Sequence, residues 1–197
     1  TPRPPRSTPS PSRRQRQMCI RDSCPTAGIE ARSRRDRSPY DQWVRDGHMM
    51  AIGGESMDYD QIAATLGEEL ELHDIKVTSV QYDRAYMKLF RAACEREGVF
   101  NGVEWVDVSQ VFKEMGIRLS SFQSQLVEGK IRHPNNPCLN MSAAVAVAKQ
   151  GREGISTLAK DLSTQRIDPM VATVMAAYPF GLGREHRQAF DVSNYIG

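Results

Sequence analysis

Hydrophobic residues form two kinds of pattern along the chain, one typical of helices and one typical of strands. Segments of the two kinds alternate. Apolar positions spaced three or four apart predict three helices, over residues 58–72, 86–97 and 169–178. Short runs rich in Ile and Val between them predict three strands, over residues 49–52, 75–82 and 104–108. Strands that alternate with helices predict an α/β fold whose sheet is at least partly parallel.

Turn and capping residues add further elements to this pattern. A short helix is predicted from Ser38, and another from Ser120 or Ser121 to Gly129, because Ser is a preferred helix cap. Prolines at 134 and 137 predict an extended segment after it. Residues 141–149 fit a strand through their Ala/Val alternation and a helix through their Ala content, so both interpretations stay open.

The first 37 residues differ from the rest in composition. They hold ten Arg and no Lys against three acidic residues, whereas residues 38–197 hold 16 basic and 21 acidic residues. Residues 1–12 lack apolar periodicity and are predicted to be disordered. Residues 17–23 resemble a translated sequencing-adapter remnant, and a genuine basic arm on DNA phosphates is the alternative. We therefore predict a disordered basic tail over 1–37, one domain over 38–180 and a C-terminal tail over 181–197.

Several classes of protein are excluded. The four cysteines form no C-x-x-C pair, so neither a zinc site nor a disulfide framework is expected. No apolar run approaches the roughly 20 residues that cross a bilayer. The acidic body means that a basic nucleic-acid binder would depend on the N-terminal arm alone. We expect an intracellular protein that is not secreted and has no membrane partner.

Two carboxylates stand where α/β proteins often place ligands. Asp83 follows a buried strand, and ligands collect beyond the carboxyl ends of such strands. Asp168 directly precedes Pro169 at the start of the last helix. Helix capping explains each residue when it is taken alone. Two unit charges at roughly 4 Å repel by about 4 kcal/mol at an effective dielectric near 20, so a pair at one site would require a cation.

Several separated motifs follow one another along the chain. They are, in order, Tyr40-Asp41-Gln42-Trp43, Val80-Gln81-Tyr82-Asp83-Arg84, Leu126-Val127-Glu128-Gly129-Lys130-Ile131-Arg132-His133, Asn136-Pro137, Lys160 and Arg166-Ile167-Asp168. With these motifs, the chain from Tyr40 to about Phe180 resembles the nuclease domain of tailed-phage terminase large subunits. The resemblance implies an RNase H-like fold, a mixed sheet flanked by helices that is truncated at its N-terminus.

The resemblance also implies an activity: metal-dependent endonucleolytic cleavage of DNA with two Mg²⁺ or Mn²⁺ ions. Asp83 and Asp168 are then the catalytic residues and the metal ligands. His133, Lys160 and Arg84 become accessory groups or DNA phosphate contacts. The implied partners are double-stranded viral DNA, the portal protein and the small terminase subunit, in the host cytoplasm during phage assembly.

Two departures from the family pattern limit this reading. The family's first catalytic Asp lies on a strand that should precede Tyr40, where this chain has its Arg-rich segment, so we expect that residue to be missing. The G-x-x-x-x-G-K-[ST] loop of the ATPase domain is also absent. We therefore expect the chain to be unable to cut DNA alone. The alternative hypotheses are a catalytically silent docking fragment and a basic-arm nucleic-acid binder.

Overall fold

The structure is a computed structural model that describes residues 16–17, 22–77, 79–85, 87–133, 135–151 and 154–181. Its N-terminal elements are β1 (Arg16–Gln17), β2 (Asp22–Pro25), α1 (Ile29–Asp36), α2 (Tyr40–Arg45), β3 (Met49–Ile52), α3 (Tyr59–Leu72) and β4 (Ser79–Tyr82). They are followed by α4 (Met87–Arg96), β5 (Glu104–Asp107), α5 (Phe112–Val127), β6 (Ile131–Arg132), α6 (Pro137–Val145), β7 (Ala148–Gln150), β8 (Ser156–Leu158) and α7 (Asp168–Gly181). The predicted α/β class is confirmed.

The described strands pair two by two. Three pairs are parallel, namely β1 with β6, β2 with β3, and β4 with β5, while β7 and β8 form an antiparallel hairpin. Helix α4 connects β4 to β5, which gives the crossover that parallel neighbours require. The single mixed sheet of an RNase H-like fold stays a prediction, because the described ladders do not join.

The largest core lies where α5 packs against α7. Its buried members are Val108, Met115, Leu119, Phe122, Ile167, Val171, Val174, Met175 and Ala177. Burial of each such aliphatic or aromatic side chain stabilises the fold by about 1.5–3 kcal/mol. This core fixes the start of α7 relative to the rest of the molecule.

Several elements differ in extent from their predictions. Helix α5 begins at Phe112, earlier than the predicted start at Ser120. The buried side chains of Met115 and Leu119 extend the buried face of Phe122 toward the N-terminus of the helix. Strand β4 begins at Ser79, later than predicted. The ambiguous segment is divided, since α6 runs to Val145 and β7 follows. Helix α7 extends to Gly181, beyond its predicted end at residue 178, and contains Pro179.

Residues 22–36 are ordered, which differs from the predicted disorder of the N-terminal tail. Strand β2 pairs with β3 from Asp22 opposite Met49 to Pro25 opposite Ile52. Cys24 and Ile29 pack against a second core that is made by Tyr40, Trp43, Met49 and Cys138. These long-range apolar contacts order a segment whose composition alone predicts none. Apart from the short strand β1, the N-terminal tail before residue 22 lies outside the described residues. The predicted C-terminal tail after residue 181 also lies outside them.

Candidate functional site

Asp168 occupies the first turn of α7, where the helix dipole favours negative charge. Ile167 before it is only 2% exposed and belongs to the core between α5 and α7. The Met170 N–H donates a hydrogen bond to Ser142 Oγ at 3.0 Å, which ties this turn to α6. The position of Asp168 is therefore fixed by its neighbours, while its own side chain remains 59% exposed.

Lys160 is paired with Asp168. Its Nζ donates to Asp168 Oδ1 at 2.8 Å, and both side chains are more than half exposed. The sequence predicted Lys160 as a phosphate contact from its place ahead of the last aspartate. The structure brings the two residues together and leaves the phosphate contact as a prediction.

Asp22 shares a cavity with Asp168. The cavity has a volume of about 490 Å³ and opens between β2, α1 and the first turn of α7. Its other polar lining residues are Ser23, Arg32, Arg35, Asp36, Tyr40 and Arg166. Acidic and basic side chains thus line the same cavity.

The environment of Asp22 disfavours its charge. Burial raises the pKa of Asp22 and the carboxylate of Asp168 adds to that rise, while the Ser23 N–H, at 2.9 Å from Asp22 Oδ1, and Arg166 lower the pKa. The charge of Asp168 therefore contributes repulsion at Asp22. A divalent cation between them would remove this cost.

Asp22 was not a candidate in the sequence, which predicted that an aspartate before Tyr40 was missing. Asp22 precedes Tyr40 on a strand, so the structure supplies a carboxylate where none was expected. The signal was hidden because residues 17–23 resemble an adapter remnant, an interpretation of their origin that stays a prediction. The strand position of Asp22 becomes evident only from the pairing of β2 with β3.

Asp36, at the end of α1, collects four hydrogen bonds. Arg35 donates from Nε to Oδ1 at 2.6 Å and from Nη2 to Oδ2 at 3.0 Å. Arg166 Nε and the Tyr40 hydroxyl each donate to Oδ2 at 3.3 Å. Asp36 therefore links α1 to the segment that precedes α7. These bonds, that of Arg35 above all, lower the pKa of Asp36 to about 2, so the carboxylate is ionised at neutral pH.

Asp83 lies beyond the end of β4, as predicted, but it does not line the cavity of Asp22 and Asp168. Its Oδ1 accepts a hydrogen bond from the Ala85 N–H at 3.3 Å, and the residue is exposed. Arg84 beside it donates from Nε to Asp107 Oδ2 at the end of β5. The shared metal site of Asp83 and Asp168 therefore stays a prediction, as does the phosphate contact of Arg84.

His133 also lies outside the lining of that cavity. The residue is exposed, and its Nδ1 accepts a hydrogen bond from the Asn135 N–H at 3.2 Å. This contact places the proton of the neutral ring on Nε2. The structure thus gives His133 a local hydrogen bond, and its accessory role stays a prediction.

Residues 23–183 match the sequence family described as "Terminase large subunit, endonuclease domain". The chain belongs to this family. The recognised resemblance is thereby confirmed over most of the sequence, and the matched range includes β2 after its first residue, together with α1.

Known terminases agree with this assignment. The large subunit of Enterobacteria phage HK97 is 35% identical over 152 residues, which are 77% of this chain and 29% of that protein. The crystal structure of the HK97 bacteriophage large terminase matches with a TM-score of 0.69 over 78% of this chain and 31% of that one. The large terminase nuclease of thermophilic phage G20c matches with a TM-score of 0.46 at 11% identity, which is too distant to bear on the fold. This terminase chain thus spans about a third of the length of its HK97 relative.

The donor set of this terminase domain suits a hard divalent cation. Mg²⁺ is commonly held by one or two carboxylates together with substrate phosphates and water, and Asp22 and Asp168 supply two carboxylates to one cavity. Among the described residues, no group of three or more His, Cys, Asp or Glu side chains has a geometry able to hold a metal. The residues therefore fit an ion whose coordination shell is completed by phosphate oxygens.

None of the described helices has the length and apolar character of a membrane span.

Proposed function

We propose that this domain is a metal-dependent DNA endonuclease that cleaves phosphodiester bonds by a two-metal mechanism during phage DNA packaging. Family membership supports the reaction class. The observation that carries the proposal is the single cavity lined by Asp22 and Asp168, with arginines around the same opening. Carboxylates next to cations suit a site that holds divalent ions and a phosphate together.

In this proposal Asp168 and Asp22 hold one end of the metal site, and Asp83 supplies the remaining carboxylate when DNA is bound. Mg²⁺ or Mn²⁺ supplies Lewis acidity and stabilises charge on the phosphodiester. The exposure of Asp168 allows a phosphate to approach it. Its first-turn position adds the helix dipole, which favours anions.

Three side chains complete the proposed DNA contacts. Lys160 exchanges its bond with Asp168 for a phosphate oxygen. Arg84, which is 85% exposed, and His133 contact phosphates further along the strand. These contacts are independent of base identity and therefore suit cleavage of varied sequences.

The proposed partners are double-stranded viral DNA, the portal protein and the small terminase subunit. The proposed place of action is the host cytoplasm while phage particles assemble. The acidic body of the chain means that DNA affinity depends on the few cations near the cavity and on divalent ions.

The test is cleavage of supercoiled plasmid by the purified chain with Mg²⁺ or Mn²⁺. The sequence predicted an inactive fragment because its first carboxylate was missing. With Asp22 present, we propose that the chain cuts. We expect Asp168→Asn, Asp83→Asn and Asp22→Asn each to reduce the rate by at least about 100-fold, while Asp46→Asn, an exposed control outside the cavity, cuts normally. Normal cutting by Asp168→Asn would end the proposal.

A second candidate function is docking without catalysis. Apolar side chains remain exposed at the ends of two helices, with Val127 at 90% and Leu72 at 75%. Surfaces of this kind often mark protein contacts. A wild-type chain that never cuts, but that binds the portal protein or the motor domain, would favour this alternative.

A further inference from the structure

The end of α1 holds the segment that leads into α7. Arg166 Nε donates to Asp36 Oδ2 at 3.3 Å, and the Gln165 side chain donates to the Arg37 carbonyl at 2.9 Å. These contacts span about 130 positions of the chain. They act on the two residues that come just before Ile167 and Asp168. The location of this segment therefore depends on α1.

The two partners in the Asp36–Arg166 contact differ in exposure. The Asp36 side chain is 12% exposed, whereas that of Arg166 is 62% exposed. Asp36 is held in turn by Arg35 and Tyr40. Arg166 uses its Nε in this contact, and no described residue accepts a hydrogen bond from its Nη atoms. A mostly buried carboxylate thus holds the Nε of an exposed arginine side chain.

Arg166 lines the same cavity as Asp168, and it lowers the pKa of Asp22, so its charge acts at that opening. Guanidinium groups bind phosphate through two parallel N–H donors, which the free Nη atoms can supply. An unanchored Arg samples many rotamers and loses that freedom on binding. An anchor at Nε reduces the loss.

We propose that Asp36 is a positioning residue that holds Arg166 at the mouth of the cavity, where Arg166 binds a DNA backbone phosphate next to Asp168. The inference rests on the proposed nuclease function and adds two residues to it. Asp36 does not contact the DNA. It acts through Arg166.

Positioning of Arg166 and bulk electrostatics predict opposite effects of one substitution on DNA affinity. Asp36→Asn removes a negative charge close to the DNA site. By charge alone this change strengthens binding to a polyanion. If Asp36 positions Arg166, the same change weakens DNA binding, because Arg166 loses its anchor.

The experiment measures the affinity of the full chain for a short DNA duplex by fluorescence anisotropy, with Ca²⁺ in place of a cleavage-supporting ion and at several salt concentrations. We expect Arg166→Gln to weaken binding about three- to tenfold and to reduce the slope of log affinity against log salt by about 0.9. We expect Asp36→Asn to weaken binding in the same range although it removes a negative charge, and Asp36→Glu to restore most of the affinity.

The double variant Asp36→Asn with Arg166→Gln tests the coupling. It should bind no more weakly than Arg166→Gln alone, because the anchor has nothing left to hold. The matched controls are Asp41→Asn and Arg45→Gln, an exposed ion pair of the same chemistry at 3.0 Å on α2, and they should follow charge alone. Arg35→Gln reports whether the other arginine on Asp36 contributes.

Tighter or unchanged binding by folded Asp36→Asn overturns the inference, as does an Arg166→Gln variant with unchanged affinity and salt slope. If Asp36→Asn does not fold, loss of affinity in Arg166→Lys and recovery in Asp36→Glu carry the same decision. Failure of the nuclease proposal looks different, because the wild-type chain then shows no divalent-dependent cleavage. Failure of this inference leaves wild-type cleavage intact.

Discussion

Lys160 Nζ lies 2.8 Å from Asp168 Oδ1, so the carboxylate proposed as a metal ligand already has a cation beside it. A divalent ion at Asp168 must bind beside the charged Lys160 ammonium or displace it. Both side chains are more than half exposed, which keeps the ion pair weak. Lys160 can therefore leave Asp168 at little cost when an ion and a phosphate arrive.

The first prediction follows from this competition. Lys160→Met should strengthen Mn²⁺ binding in the absence of DNA by about two- to fivefold, because the competing cation is gone. Isothermal titration calorimetry measures the change. Lys130→Met is the control, since Lys130 pairs with Glu128 elsewhere on the surface. Equal Mn²⁺ affinity in wild type and Lys160→Met would show that the pair does not compete.

The second prediction concerns Asp22. Its charge is disfavoured by burial and by Asp168, so Asp22→Asn should raise the melting temperature in EDTA by about 2–4 °C, which corresponds to roughly 1 kcal/mol. With Mn²⁺ the order should change, because the wild type gains stability from the ion and the variant gains less. Differential scanning fluorimetry with and without Mn²⁺ measures both effects. An equal Mn²⁺ shift in the two proteins would remove Asp22 from the site.

The third prediction is the pH dependence of the Asp36 contacts. The folded-state pKa of Asp36 is lowered to about 2, so its stabilising contribution is complete above the unfolded value near 4 and is lost as pH falls toward 2. Asp36→Asn should lower the free energy of unfolding at pH 7 by about 1–2 kcal/mol, in keeping with hydrogen bonds to a charged group. Urea unfolding should show this difference shrinking between about pH 4 and pH 2. A difference that is constant down to pH 2 contradicts the assignment.

The fourth prediction tests the packing that supports α7. A Cβ added at Gly116 of α5 would overlap Ile155 Cγ2 and lie 3.0 Å from the Ser156 carbonyl oxygen. Gly116→Ala should therefore destabilise the fold by about 1–3 kcal/mol in urea unfolding. Gly54→Ala is the matched control, since nothing lies within 4 Å of its added Cβ and its φ is not positive. Similar stability for both variants would refute the close approach of β8 to α5.

Local pattern was enough for much of the secondary structure. Strand β3 coincides with its predicted bounds, and the predicted helix over residues 58–72 matches α3 with its cap Asp58, whose carboxylate accepts a hydrogen bond from the Gln61 N–H at 3.0 Å. The start of α5 was mispredicted because its first turns carry exposed apolar residues, Val111 and Phe112 among them, which blur the helical period. Boundaries depend on which residues find a buried partner.

The residues of the candidate site were likewise predicted only in part from the sequence. Lys160 and Asp168 are eight positions apart, and their order along the chain resembles the family motif, so the sequence predicted both as site residues and the structure places them together. Asp22 and Asp36 were not, because no local period links them to α7. Asp83 was found as the end of a strand, and the structure places it outside the cavity lining.

The sequence by itself determined the α/β character, the family, and the carboxylate at the start of the last helix, since each depends on residues that are close in the chain or on motifs in order. Tertiary structure alone decided that β2 pairs with β3, that Asp22 shares a cavity with Asp168, and that Asp36 anchors Arg166. Such contacts arise when buried apolar faces bring distant segments together. Burial is a property of the whole packed chain, which no short window of sequence contains.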